Sequence, residues 1–452
     1  MNEKKSNIGQ QPIRDARTLG IPKMLILGLQ HMFAMFGATV LVPILVQSYG
    51  LPLSIQTTLF FAGIGTLFFH VCTKMKVPAF LGSSFDFLGG FAAMGAMDQG
   101  IYAAMDASEK LQYACGGIVA AGLLYVVLAA IIKAVGVHRV MHFLPPVVTG
   151  PIIILIGLNL APSAVSNAST CWWLALVAMA IIIVANIWGK GMIKIIPILL
   201  GVVGSYIVAL IAGKVDFSTM EGVAIVGLQP FFTDFGGSIA KFDISAILVM
   251  APIAIASMME HIGDMSAISA TVGENFIEDP GLHRTLIGDG IATSLSALFG
   301  GPANTTYGEN TGVLVLSKVH DPRVIRLAAV YALVLSFSPW FAAFINSIPA
   351  AIIGGVSFIL YGMISAIGVR NVVENQVDFT NSRNLIIAAV ILVCGLGFTG
   401  GLTFQVGGAS ITLTSLAIAA IAGIILNAIL PGNDFHFGKS ANSDASANLG
   451  QY

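Results

Sequence analysis

Apolar runs of about 20 residues, the length a helix needs to cross a bilayer, recur along the whole chain with short polar breaks between them. The pattern predicts fourteen membrane-spanning segments, at roughly 24–48, 53–73, 77–97, 111–134, 145–165, 171–188, 193–213, 244–270, 281–299, 302–317, 322–345, 349–369, 383–398 and 408–430. The third and tenth are short and broken by Gly, Pro, Ser, Thr and Asn. Fourteen divides into two sets of seven, and a repeat with an odd number of spans inserts upside down relative to its twin. The two broken segments hold the third place in each set. One opens VPAFLGSSFDF from Val77, the other GPANTTYGEN from Gly301, with Pro78 and Pro302 lying 224 residues apart. Each follows its Pro with small hydroxyl residues, an aromatic (Phe85, Tyr307) and an acid (Asp86, Glu309). A bilayer tolerates non-helical backbone only where protein or water satisfies it, so this pair points to a binding site near the midplane.

Composition agrees with a polytopic membrane protein. Of 452 residues, 56% are hydrophobic and 10% charged, against roughly 25% charged in soluble domains; mean hydropathy is +0.89. A soluble chain could not hide that much apolar surface, which excludes a soluble enzyme, a disulfide scaffold and a disordered protein. A net charge of −1 leaves no basic field for nucleic acid. Cys72, Cys115, Cys171 and Cys394 lie far apart in apolar runs, with neither CxxC nor metal-ligand spacing, and read as small hydrophobes.

The basic residues set the topology. With a cytoplasmic N-terminus, 18 of the 21 Lys and Arg fall on the inner side, and only Lys110, Lys214 and Lys241 fall outside. Dropping any one span would invert every later loop and destroy that bias. The polar start (1–20) therefore reads as a cytoplasmic tail rather than a signal peptide, 214–243 as an outer loop and 431–452 as a second cytoplasmic tail of a multi-pass membrane protein.

Acids inside the spans are the informative residues, since each is costly at a helix centre. Asp86, Glu260, Asp264, Asp289 and Glu309 lie there, with His31 and His261. Glu260 and Asp264, at i and i+4 in SMMEHIGDMSA, share one helix face, from which His261 is turned by about 100°. For Glu260 and Glu309 a functional role is the expectation; Asp289 and His261 each read equally well as structural polar groups bonded to a neighbouring helix. In an extended segment Asp86 would face away from Phe85 and Phe87, toward backbone. No GxxxxGK[ST], HExxH or GxSxG motif is present, so neither nucleotide hydrolysis nor an enzymatic site is expected. EHIGD lacks the further ligands of a metal site, and neither metal nor cofactor is expected.

These residues carry a resemblance. LQHMFAMFGATVLVP (29–43), VPAFLGSSFDF (77–87), LPPVVTG (144–150), EHIGD (260–264), DPGLHRTLIGDG (279–290), NTTYGENTGV (304–313) and IPAAIIGGVSFILYG (348–362) resemble, in this order, the nucleobase–cation symporter or nucleobase–ascorbate transporter family, and within it the bacterial uracil permease branch. The resemblance implies an all-α fold of fourteen spans as a 7+7 inverted repeat, with spans 3 and 10 broken by short antiparallel strands. It also implies a core domain (21–135 and 244–346), a gate domain (136–213 and 347–430) and a homodimer formed through gate surfaces. Residue by residue, Glu260 and Glu309 resemble the carboxylates that grip the base, and Phe85 the aromatic lining the site. Tyr307 and Gly308 resemble strand residues whose backbone N–H groups meet its carbonyl oxygens. Ser84, Asp289 and Tyr361 are further candidates. Glu260, tuned by Asp264 and His31, is the expected proton site.

The chain departs from the uracil branch at Asp264, where that branch usually has a second His and the purine and xanthine branch an Asp. It also departs at Asp86, where a small residue is common. The expectation is proton-coupled uptake of uracil by alternating access. A xanthine or purine symporter of the same family is the alternative, and an anion exchanger or channel of the same fold a more distant one.

Overall fold

The computed structural model describes residues 12–98, 100–136, 139, 145–228, 240–399, 401–406 and 409–432. Helices α1 (Ile21–Ser48) and α2 (Ile55–Cys72) lead to strand β1 (Leu81–Ser83), half-helix α3 (Leu88–Ala96) and α4 (Ala107–Val135). Next come α5 (Pro146–Ser169), α6 (Trp172–Ile187), α7 (Met192–Ile195) and α8 (Pro197–Ile211). The second half runs α9 (Ile244–Met250), α10 (Ile253–Val272), α11 (Leu282–Leu298), strand β2 (Asn304–Thr306), α12 (Gly308–Ser317), α13 (Pro322–Ser336) and α14 (Pro339–Asn346). It closes with α15 (Ala350–Glu374), α16 (Ser382–Gly397), a hairpin of β3 (Leu402–Val406) and β4 (Ala409–Leu413), and α17 (Ser415–Ile429). Side-chain caps start many of the helices: Ser54 accepts from the Thr57 N–H, Asp106 from Glu109 and Thr414 from Ala417.

Each expected span falls on one helix or on an interrupted pair. By length and composition, six helices among the described residues could cross a membrane, or seven if one bent pair counts as a span, so helix length does not itself set the number of crossings. Two expectations need correction. The segment 322–345 is two helices, α13 and α14, bent by 87°. Ser338 precedes Pro339, whose ring disfavours helix at the residue before it, and the Ser338 side chain instead caps α14. The segment 408–430 opens as strand β4, paired antiparallel with β3, where β-branched ITLT favours extended backbone. Within the N-terminal segment, the stretch 12–20 is docked on the protein: Ile13 bridges Val319, and Asp15 meets Arg323. The rest of that tail (1–11), residues 229–239 of the 214–243 loop, residue 144 of LPPVVTG, and 433–452 lie outside the described residues.

The packing repeats with twofold logic. α4 lies on α11 as α13 lies on α2, α9 on α4 as α1 on α13, and α6 on α8 as α16 on α17. At the centre, β1 and β2 pair antiparallel with Leu81 opposite Thr306, Gly82 opposite Thr305 and Ser83 opposite Asn304. The outer edge of each strand is closed by an equivalent threonine. Thr66 Oγ1 on α2 accepts from the Leu81 N–H (2.9 Å) and donates to its carbonyl (3.2 Å). Thr293 Oγ1 on α11 does the same for Asn304 (3.1 and 2.9 Å). This is the inverted repeat written in hydrogen bonds.

The loops sort by side. Those rich in Lys and Arg meet one another: Arg14 pairs with Glu274, Lys76 with Asp279, and Arg284 donates to the Cys72 carbonyl (2.8 Å). The Arg17 guanidinium hydrogen-bonded to Asp15 holds that carboxyl at about 2, so this clasp stays ionised at neutral pH. At the opposite end Lys241 pairs with Glu109 (3.1 Å) and Tyr102 donates to Asp243 (2.9 Å). Between the two ends the exterior is apolar. On α6, Trp172, Trp173, Leu176, Val184, Ile187 and Trp188 are exposed, with Trp at both ends as in an interfacial belt.

Close helix approach rests on glycine. A Cβ on Gly122 of α4 would overlap Ser294 and the Gly290 carbonyl of α11, whereas one on Gly362 of α15 would meet nothing within 4 Å. Overpacking a dense contact costs about 1–3 kcal/mol. Gly122→Val should therefore lower the melting temperature of the detergent-purified protein by several degrees while Gly362→Ala leaves it unchanged; equal melting curves would contradict this packing.

Candidate functional site

The strand pair delivers two half-helices to the middle of the molecule. Beyond the ladder, Ser84 donates its N–H to the Ala303 carbonyl (2.8 Å) and Tyr307 its N–H to the Phe80 carbonyl (3.0 Å). The Tyr307 hydroxyl also donates to the Ser83 carbonyl (2.8 Å), and Ser83 Oγ donates to the Thr39 carbonyl of α1 (2.8 Å). Tyr307 is thus spent on the opposite strand. Its backbone N–H is taken by the Phe80 carbonyl and is not free for a ligand, which corrects the sequence expectation for that residue.

Gly308 is the first residue of α12, where helix N–H groups lack intrahelical partners. It is exposed although Tyr307 and Asn310 on either side are buried. Phe85, Glu260, Asp264 and Glu309 are half-buried and Gly263 is exposed, so the protein surface dips into a recess here. Glu309 stands in the first turn of α12, where the helix dipole favours an acid. A methyl on Gly308 would stand 3.8 Å from Asp264 Oδ1 and meet nothing else, which brings α12 and α10 face to face across the recess.

Helix α10 carries Ser257, Glu260 and Asp264 on one stripe at i, i+3 and i+7. Asp264 Oδ2 accepts from Thr306 Oγ1 of β2 (2.8 Å). Glu260 has Asp86, Asp264 and Glu309 as its charged neighbours. Asp86 does not turn toward backbone. Residues 85–87 form a turn rather than extended chain, so strand alternation does not apply, and Asp86 has Glu260 and Ser257 as its polar neighbours. Among the described residues, no Lys or Arg is among the charged neighbours of these four acids.

The other candidates lie around this cluster. His31 on α1 is fully buried, and Asn310 of α12 donates to its carbonyl (3.0 Å), with the amide also 3.2 Å from Nδ1. Asp289 on α11 lies 3.0 Å from His261 Nδ1, both side chains fully buried, on the side of α10 turned from the recess. Ser84 is buried beside the ladder with its hydroxyl unpartnered. Tyr361 on α15 has Tyr49, Ser163 and Ser357 as its hydroxyl neighbours and is not part of the carboxyl cluster. Sequence reasoning missed Thr306, Ser257 and Asn310, which hold or flank the acids. The signals were available: Thr306 and Asn310 lie inside NTTYGEN, and Ser257 precedes Glu260 by one helical turn. Among the described residues no group of three or more His, Cys, Asp and Glu is arranged to hold a metal ion.

Residues 22–403 match a family model described as "Permease family". The chain is 42% identical over 429 residues to the uracil permease of Bacillus caldolyticus, covering 93% of this chain and 94% of that one. It is 40% identical over 444 residues to the uracil permease of Bacillus subtilis (strain 168), covering 95% and 97%. Among solved structures, the transmembrane domain of a cyanobacterium bicarbonate transporter, BicA, shares the fold, with a TM-score of 0.58 at 18% identity over 91% of this chain and 99% of that one.

The threonine clasps behind the recess generate a stability expectation. Thr293→Val strips both polar groups of Asn304 of their partner and should cost about 1–3 kcal/mol, with Tyr307→Phe nearer 1 kcal/mol. Melting temperatures of the two purified variants should fall in that order below wild type, and a Thr293→Val protein as stable as wild type would contradict it.

Proposed function

The chain belongs to the permease family of nucleobase–ascorbate transporters, and from that premise we propose that it is a nucleobase permease that takes up uracil with a proton by alternating access. The observation that carries this reading is a recess lined by Glu260, Asp264 and Glu309, with Asp86 buried behind them and, among the described residues, no Lys or Arg among their charged neighbours. Uracil is planar and neutral, with two ring N–H donors and two carbonyl acceptors. Glu260 and Glu309 accept from its N–H groups, the Gly308 N–H at the start of α12 donates to a carbonyl, and Phe85 covers a ring face. A site built this way rejects analogues that lack a donor, because its buried groups would be left unpaired.

A neutral solute accumulates only if its entry is coupled to an ion. A proton suits this recess: acids crowded in a membrane without cations are neutralised by protons. Glu260, at the centre of the cluster, is the proton carrier, with Asp264 and His31 as its tuning partners. Substrate and proton together reduce the charge of the recess and let the core (21–135, 244–346) slide past the gate (136–213, 347–430). The basic loops face the cytoplasm of a bacterial cell, and two copies join through gate surfaces. An acid-lined recess speaks against an anion as cargo. Asp264 favours a second reading, a xanthine or purine symporter.

Uptake of labelled uracil into proteoliposomes, competed with xanthine, guanine and thymine, separates the two readings. Inhibition by unlabelled uracil well before xanthine or guanine is expected, and the reverse order would replace uracil by a purine. Glu260→Gln should abolish accumulation driven by a proton gradient while leaving base binding measurable. Undiminished gradient-driven uptake by that variant would remove Glu260 from the proton path.

A further inference from the structure

Of the acids that line the recess, Glu260 and Asp264 stand on α10 and Glu309 on α12, so the spacing of these two helices sets the spacing of the groups that grip a base. α12 is poorly equipped to hold its own position. It has 10 residues, about 15 Å of helix, of which Asn310, Val313 and Leu314 are buried, while Val315 and Leu316 are exposed. Strand β2 fixes its near end at the recess. Its far end, and that of α10, are held by a short strap that precedes α1.

Ile13 donates its N–H to the carbonyl of Lys318 (2.8 Å), the residue that closes α12, and its own carbonyl accepts from the His320 N–H (2.9 Å). One residue on, the Arg14 guanidinium donates to the carbonyl of Val272 (3.3 Å), the last residue of α10, and pairs with Glu274 just beyond it. A cation there also suits the negative end of the helix dipole. Ala16, fully buried, seats the strap by donating its N–H to Asp321 Oδ2 (2.7 Å), whose Oδ1 accepts from the Arg323 N–H (2.9 Å) at the start of α13. Ile13 and Arg14 are covalent neighbours, so the far ends of α12 and α10 can separate only if one of these bonds breaks.

We propose that Ile13 and Arg14 are positioning residues for base binding: by tying the far end of α12 to that of α10, they hold Glu309 at a fixed distance from Glu260 and Asp264. Neither residue touches the base. The Arg14–Glu274 pair is half-exposed, and pairs of that kind add little to stability, so the strap acts on the geometry of the site more than on the fold. A site of this kind tolerates about 0.5 Å of displacement before its hydrogen bonds weaken.

Binding of labelled uracil to the detergent-purified full chain is measured for wild type, Arg14→Ala, Arg14→Lys, Ile13→Pro and Arg17→Ala. Melting temperature and hydrogen–deuterium exchange are recorded on the same proteins without ligand. Ile13→Pro deletes the N–H that reaches Lys318. Arg17 bonds to Asp15 within the strap and serves as the control. Arg14→Ala and Ile13→Pro should each raise the Kd roughly tenfold at a melting temperature close to that of wild type. Exchange should quicken at 273–276 in the first and at 314–320 in the second, and in both at 311–313, toward the recess. Arg14→Lys should recover part of the affinity, and Arg17→Ala should bind as wild type does. An unchanged Kd despite faster exchange would overturn the positioning role, as would a Kd that rises only in step with a falling melting temperature. Unchanged exchange in both variants would overturn the strap itself. If Ile13→Pro does not fold, Arg14→Ala decides by the same criteria. Base affinity as a readout rests on the uracil reading above, whereas exchange does not. A wild type that binds no uracil would defeat that reading, and exchange at 311–313 would still decide whether the strap controls the recess end of α12.

Discussion

Everything at the centre of this molecule depends on satisfying backbone polar groups where no water can do so. A helix meets that demand internally, but a helix broken in mid-membrane exposes N–H and C=O groups that are expensive to leave unpaired. Here the two breaks satisfy each other. β1 and β2 pair along three residues, and Thr66 and Thr293 close the outer edges by accepting and donating at Leu81 and Asn304. Neither half could be broken alone, because each strand is the other's hydrogen-bond partner. The inverted repeat is therefore a requirement of the backbone chemistry at the site.

The same economy decides which groups remain for a ligand. Tyr307 gives its N–H to Phe80 and its hydroxyl to Ser83, so it fastens the strands. Gly308, one residue later, lies past the ladder and at a helix start, with its surface open. The acids follow a similar division. Asp289 is turned to His261 in the buried interior, Asp264 is held by Thr306, and Glu260 and Glu309 stand at the edge of the recess with Asp86 behind.

Much of this was legible in the chain. The hydrophobic runs, the side on which Lys and Arg fall, and the paired broken segments at Pro78 and Pro302 sufficed for a helical membrane protein with two related halves. Spacing alone put Glu260 and Asp264 on one helix face. The bend at Ser338 and the β3–β4 hairpin were not legible, because a Pro or a β-branched run inside an apolar stretch is compatible with both a straight span and a broken one until neighbours are known. The direction of Asp86 was misread for a related reason: alternation holds for strand, and residues 85–87 form a turn.

The sequence by itself determined the solvent the protein lives in, the repeat, and which residues are too polar for that solvent to be there without purpose, since those properties follow from composition and spacing. Only the tertiary structure decided how those polar residues are divided between scaffold and site. A hydrogen bond needs a partner at about 3 Å, and the partners here come from the other half of the chain, more than two hundred residues away: Phe80 for Tyr307, Ser83 for the tyrosine hydroxyl, His31 for Asn310.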